Sequence, residues 1–128
     1  MNDPIIDLII SIKNGYMASK ERVIMNHSSY KAVVANKLKK LGFVKEVLIS
    51  GDIKKQIEIE LLYKEGEPAL SGVKLHSTPG KRMYVSYKKM KSVLGGMGYS
   101  FVSTSKGIMT NTESKKSKLG GELLFSLW

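Results

Sequence analysis

Gln56-Ile57-Glu58-Ile59-Glu60-Leu61-Leu62-Tyr63 is the stretch whose pattern sets the architecture. Ile57, Ile59 and Leu61 alternate with Glu58 and Glu60. Successive side chains of a strand point to opposite faces, so this segment reads as an antiparallel strand with one face buried and one wet. The buried face needs a cover, and two helices upstream supply it. Asp3-Pro4 reads as a helix start, with Asp3 as cap and Pro4 at the first helical position. Ile5, Leu8, Ile9 and Ile12 then share one face of a helix expected over 4–17, with Gly15 weakening its last turn. Ser28 or Ser29 caps a second helix, in which Val33, Val34, Lys37, Leu38 and Leu41 keep a helical period up to the stop at Gly42. Lys31, Lys37, Lys39 and Lys40 are expected mainly on its wetter faces. Strands are expected at Arg22–Met25 and Phe43–Ile49, with a turn at Gly51-Asp52. Residues 1–64 therefore form an α-β-α-β-β lobe, helices against a small sheet.

Beyond a turn or linker at Lys64–Pro68 the pattern becomes β-rich. Leu70–Leu75 is strand-like, Arg82–Tyr87 alternates, and a final strand is expected from Leu123 to Trp128; between them Gly107 separates Tyr99–Val102 from Ile108-Met109. A turn falls at Thr78-Pro79-Gly80 and a short helix or helical turn at 88–94. Asn111 or Thr112 caps a short helical turn carrying Lys115, Lys116 and Lys118, ended by Gly120-Gly121. The fold class is α/β of the α+β type, in two small lobes, 1–64 and 65–128.

A chain of 128 residues with 42% hydrophobic content can bury a core, and its formal charge of +10 draws polyanions. The stretch 70–118 holds 10 Lys or Arg against the single acid Glu113. Clustering of that kind is the footprint of a nucleic-acid surface, although charge alone also admits an acidic membrane surface. With no cysteine, and only His27 and His76 as histidines, neither a disulfide nor a metal site is expected. The first twelve residues lack the cationic start of a signal peptide, and no apolar run reaches membrane-spanning length. The cytoplasm or an equivalent compartment is expected. No cofactor is implied. Lys106 lacks the glycine spacing of a phosphate-binding loop, and Gly95-Gly96-Met97-Gly98 does not match the dinucleotide fingerprint. For an enzyme the inventory is poor: Asp3 and Asp7 are explained by capping and solvation, and Ser105 has no evident base.

Two segments suggest recognition. Ser103-Thr104-Ser105-Lys106-Gly107 presents three hydroxyls, one ammonium and a glycine that permits positive φ or a close approach to a ligand. Small polar side chains of this kind reach sugar hydroxyls and base edges in an RNA groove. An ordinary polar turn reads equally well from chemistry alone. In Thr78–Tyr84, Lys81 and Arg82 bring cations to the exit of the Pro79-Gly80 turn. Alternation sets Tyr84 beside Arg82 and Ser86, on the exposed side, where an aromatic can stack on an unpaired base. Tyr87 and Phe101 are expected in the core, Trp128 at an edge, and His76 as a surface or turn residue.

The chain resembles the bacterial and organellar small-subunit ribosomal protein eight family. The resemblance runs over nearly all residues. It is strongest in Ser103-Thr104-Ser105-Lys106-Gly107-Ile108-Met109-Thr110 and Leu119-Gly120-Gly121-Glu122, with Asp3-Pro4, Asn14-Gly15 and Pro79-Gly80-Lys81-Arg82-Met83-Tyr84 in the family order. It implies two tightly packed lobes and direct binding to a helix and internal loop in the central domain of small-subunit ribosomal RNA, early in assembly. Neighbouring ribosomal proteins are implied as partners, and in some members the operon's own messenger RNA. Residue by residue, it places Ser103, Thr104, Ser105, Lys106 and Gly107 in the RNA-contact loop, with Thr104 and Ser105 as leading readers. Tyr84 and Arg82 lie beside it, Lys81 is a weaker electrostatic contact, and Gly121 and Glu122 lie on the RNA-facing side, Glu122 orienting donors. Lys31 and Pro4 fall in regions of secondary contact. Lys91-Ser92 departs from the family's frequent Leu-Pro, and Thr78 from a frequent arginine. A cytoplasmic or an organellar ribosome fits this reading. The competing hypotheses are a basic protein-interaction module with only non-specific RNA affinity, and a small phosphate-processing enzyme.

Overall fold

The computed structural model describes residues 3–128, which divide into two compact units, the first ending at Leu70 and the second being Ser71–Trp128. The first begins with helix α1 (Pro4–Met17). The Asp3 carboxylate accepts the Ile5 N–H at 2.9 Å, holding one of the donors that a helix start leaves unpaired. α1 runs through Gly15 to Met17. A Cβ at Gly15 would lie 2.5 Å from Val23 Cγ1, so this glycine lets α1 approach strand β1 (Arg22–Asn26) closely. Helix α2 (Ser29–Leu41) starts under the Ser28 hydroxyl, which accepts the Lys31 N–H at 3.1 Å, and stops at Gly42 with φ of 86°.

Strands β2 (Glu46–Ser50) and β3 (Gln56–Glu60) complete an antiparallel sheet in the order β1-β3-β2. Val23, Met25, Ile57 and Ile59 are buried, together with Ile5, Leu8, Ile9, Ile12, Val34 and Leu38 of the helices. The second expected strand starts at Glu46 rather than Phe43. Phe43 and Val44 are instead buried before it, and the Phe43 carbonyl takes the Tyr16 hydroxyl at 2.5 Å. That hydroxyl also accepts the Leu62 N–H at 3.0 Å. Burial raises the Tyr16 pKa above its usual value, with the Leu62 bond opposing, so the phenol remains a donor. Beyond β3, β4 (Tyr63–Lys64) and β5 (Glu67–Pro68) pair as a two-strand hairpin over the segment expected as a turn or linker.

One lysine is placed differently from expectation. Lys31 is buried, because its ammonium meets Asp7 Oδ2 at 2.7 Å and the Asn26 carbonyl at 3.1 Å. The pair ties α2 to α1, a role that neither charge nor helical period announces.

The second unit contains β6 (Val73–Leu75), β7 (Tyr84–Val85), β8 (Tyr99–Thr104), β9 (Gly107–Thr110), helix α3 (Asn111–Lys116) and β10 (Gly121–Leu127). The sheet order is β6-β10-β8-β9, with β7 paired to the start of β10. Phe101 and Phe125 are fully buried and stacked, centroids 4.8 Å apart, while Tyr87 is only half-buried. The short helix or helical turn expected at 88–94 takes the form of two separate 3-10 turns, Tyr87–Lys89 and Leu94–Gly96. Leu94, Gly95 and Gly96 all have positive φ, which a continuing right-handed helix does not allow. The cap of α3 is neither Asn111 nor Thr112 but Thr110. Its hydroxyl accepts the Glu113 N–H while the Glu113 carboxylate accepts the Thr110 N–H, a reciprocal capping box. The Asn111 side chain is occupied elsewhere: it accepts the Ser100 N–H and donates to the Lys91 carbonyl. Trp128 lies against Gly72, where a Cβ would meet its ring at 2.4 Å.

Candidate nucleic-acid interface

The loop 103–107 is the tip of the β8–β9 hairpin. Thr104 pairs with Gly107 across it, leaving Ser105 and Lys106 at the turn. Positive φ within the turn falls on Gly107, at 105°, and a Cβ there would meet nothing within 4 Å. Its conformation, not crowding, requires glycine, as in a turn closed by a bulge residue in the left-handed region. The Thr104 hydroxyl donates to the Gly107 carbonyl at 2.7 Å and accepts the Lys106 N–H at 3.2 Å. It clasps the turn from inside. Ser105 and Lys106 are exposed, and Ser103 is half-buried.

The register of β10 brings the other candidates alongside. Glu122 faces Ser103 on β8 and Tyr84 on β7, so these three residues form one row across the sheet. Tyr84 is 74% exposed. Arg82 Nη1 meets Glu122 Oε2 at 3.2 Å, so Glu122 orients a guanidinium at the edge of that row. A Cβ on Gly121 would lie 2.0 Å from the Ser103 carbonyl oxygen, and one on Gly120 2.5 Å from that of Val85. The glycine pair thus lets the start of β10 run against the backbones of Ser103-Thr104 and of Val85-Ser86. Lys81 is exposed at the end of the Thr78–Lys81 turn, closed by reciprocal backbone bonds of 2.9 and 3.0 Å. Beside Tyr84 lies a depression of about 280 Å3, walled by Met83, Val85, Met90 and Leu123 with Lys89 and Lys91 also lining it. Of the expected contacts, Pro4 and Lys31 belong to the first unit: Pro4 is exposed at the start of α1, and Lys31 is committed to Asp7 and Asn26.

Charge follows the same division. Residues 71–128 carry 10 Lys or Arg against Glu113 and Glu122, and all ten are exposed. Among the described residues no group of three or more His, Asp or Glu is placed to hold a metal, and no helix is long and apolar enough to cross a membrane.

Two positioning elements escaped the sequence. Ser77 is buried; its hydroxyl accepts the Met83 N–H at 2.9 Å and donates to the Leu123 carbonyl at 2.7 Å. It stitches the Arg82–Tyr84 arm to β10. No periodicity flags a serine whose partners lie 6 and 46 residues away. Ser77→Ala is expected to lower the unfolding free energy by about 1–3 kcal/mol, since it strands a buried donor and acceptor. Urea titration checks this, and an unchanged midpoint contradicts it. The second element is a polar chain through the sheet. His76 Nε2 and Ser126 Oγ are 2.7 Å apart, and Ser126 Oγ lies 2.7 Å from Ser100 Oγ. His76 is therefore a half-buried network member rather than a surface residue, and burial, with Lys74 nearby, lowers its pKa.

The family model described as Ribosomal protein S8 matches residues 3–128. The Small ribosomal subunit protein uS8 of Pseudomonas paraeruginosa is 42% identical over 128 residues, 100% of this chain and 98% of that protein. Those of Tolumonas auensis and Neisseria meningitidis are each 40% identical over 124 residues, 97% of this chain and 95% of theirs. Matched in this way from Asp3 to its last residue, the chain belongs to the ribosomal protein S8 family.

Proposed function

We propose that this chain is a structural, RNA-binding protein of the small ribosomal subunit, without enzymatic activity, that holds a helix and its internal loop in the central domain of ribosomal RNA during assembly. The observation that carries the reading is the row Tyr84–Glu122–Ser103, continuous with the hairpin tip and set in a unit whose ten cations are all exposed. The cations supply the salt-dependent attraction to phosphate, and the row supplies discrimination. Ser105 and Lys106 project from a turn that Thr104 holds in shape. Ser105 reaches a sugar or base edge, and Lys106 a phosphate. Tyr84 offers a stacking face, and the depression beside it admits an unpaired base splayed from the internal loop. Arg82, held by Glu122, presents a planar donor, with Lys81 adding charge. Pro4 at the α1 start marks a secondary contact; Lys31 acts there by fixing α1 rather than by offering its ammonium.

A messenger RNA of its own operon that repeats this internal loop is bound by the same determinants, which represses its translation. The ribosome in question is read as cytoplasmic, in keeping with the bacterial relatives. The test is a competition between an internal-loop RNA and a plain duplex as salt rises. Both affinities fall, and log affinity declines linearly with log salt. The preference for the internal loop persists throughout. A loose basic module loses both together, and that outcome overturns the proposal.

A further inference from the structure

The outer face of the sheet in the first unit is unlike the rest of the chain. Since Val23, Met25, Ile57 and Ile59 turn inward, the alternate residues face away from the helices. The register sorts three rows there: Arg22–Glu60–Glu46, Ile24–Glu58–Leu48 and Asn26–Gln56–Ser50. Ile24 and Leu48 are 57% and 52% exposed, one on each side of the Glu58 carboxylate. The first two rows combine two apolar side chains with three carboxylates and one guanidinium.

The ion pairing is uneven. Arg22 Nη1 meets Glu58 Oε2 at 3.1 Å, and Lys39 reaches from α2 to Glu46 at 2.6 Å, which lowers the Glu46 pKa. Glu60 has no ion-pair partner among the described residues, yet it stands directly opposite Glu46, an arrangement of like charges that costs stability. It lines a depression of about 320 Å3 together with Glu21, Arg22, Lys45, Leu61 and Tyr63. Glu21, Glu46, Glu58 and Glu60 stand here with Arg22, Lys39 and Lys45, a poorer seat for a phosphate backbone than the ten exposed cations of the second unit. Exposed apolar side chains framed by carboxylates instead complement a cationic protein segment.

We infer that this sheet face is a docking surface for a basic protein segment of a neighbouring small-subunit protein, whose apolar side chains seat on Ile24 and Leu48 and whose cation pairs with Glu60. The inference rests on the chain working inside the small subunit, not on which of its residues read RNA. Glu60 is the charge-setting residue: its unpaired carboxylate accepts the partner's cation and relieves the repulsion with Glu46.

A photo-crosslinking residue in place of Leu48, and in a second preparation in place of Ile24, tests this in small subunits assembled with the full chain. The expected adduct survives ribonuclease and contains a peptide with Lys or Arg beside apolar residues. With Glu60→Lys added, its yield falls by roughly tenfold or more, because like charges now face each other. Adducts to ribosomal RNA, no adduct at either position, or a yield indifferent to Glu60→Lys each overturn the inference. The isolated Glu60→Lys chain is expected to keep wild-type preference for the internal-loop RNA. If the wild-type chain shows no such preference, the proposed RNA function fails, while the crosslinking result stands on its own.

Discussion

Gly121→Ala is expected to abolish selective RNA binding while leaving a folded chain. The added methyl would sit 2.0 Å from the Ser103 carbonyl oxygen and 3.2 Å from the Thr104 Cα. Both obstacles are backbone, so no side-chain rotation relieves them. β8 or β10 must move, and the row that sets Glu122 between Tyr84 and Ser103 moves with it. Overpacking of this kind destabilises by about 1–3 kcal/mol. The effect on recognition is larger in consequence than that figure. The ten exposed cations are untouched, so non-specific affinity and its salt slope persist, while the preference for an internal loop over a plain duplex disappears. Parallel urea unfolding and RNA competition check the two halves. Retained preference would mean that the Ser103–Thr104 backbone does not need its present position.

Phe101→Ala is expected to be the most destabilising single change in the second unit. Phe101 is fully buried, its ring stacked at 4.8 Å on that of Phe125, which β10 places directly opposite it. Truncating a buried phenylalanine costs about 3–5 kcal/mol, a large share of what holds a domain folded. Truncation of Phe101 should therefore lower the denaturation midpoint far more than Tyr87→Ala, whose ring is only half-buried. Equal effects from the two would contradict the placement of the core.

The same strand pair shows where sequence reasoning ran out. β10 opposes Leu123 to Val102 but Phe125 to Phe101, so Leu124 is an extra residue in a bulge. Were Leu124 paired in a regular ladder instead, Phe125 would face Ser100 and the core would lose its stack. The bulged residue's carbonyl accepts the N–H groups of His76 and Ser77 at 3.0 and 3.2 Å. Nothing local marks Leu124, because the bulge answers to strands 20 and more residues away. Lys31, Ser77 and His76 were opaque for the same reason: each is defined by a partner distant in the chain.

Local chemistry, in contrast, was readable. Asp3-Pro4 and the spacing of Ile5, Leu8, Ile9 and Ile12 placed α1 at 4–17, where it lies. Ser28 and Gly42 bounded α2, and the alternation of Ile57 and Ile59 with glutamates placed the central strand of its sheet. Thr110 and Glu113 carry a capping-box spacing, and it is this pair, not Asn111 or Thr112, that starts α3. The 103–107 segment is legible as a loop, while the sequence leaves Gly107 open between positive φ and a close approach, and its φ of 105° decides for the first. The division of labour within the loop is not legible, since only the folded turn shows that the Thr104 hydroxyl is engaged with Gly107 and Lys106.

The central claim is that the hairpin tip and its row read one RNA structure. Footprinting on small-subunit ribosomal RNA with the wild-type chain and with Thr104→Ala/Ser105→Ala tests it most directly. The expected result is protection of one central-domain helix and its internal loop, weakened by roughly tenfold in the double variant, which loses both the clasp and the exposed hydroxyl. Protection no stronger than that of unrelated duplexes, or protection unchanged by the double substitution, would contradict it.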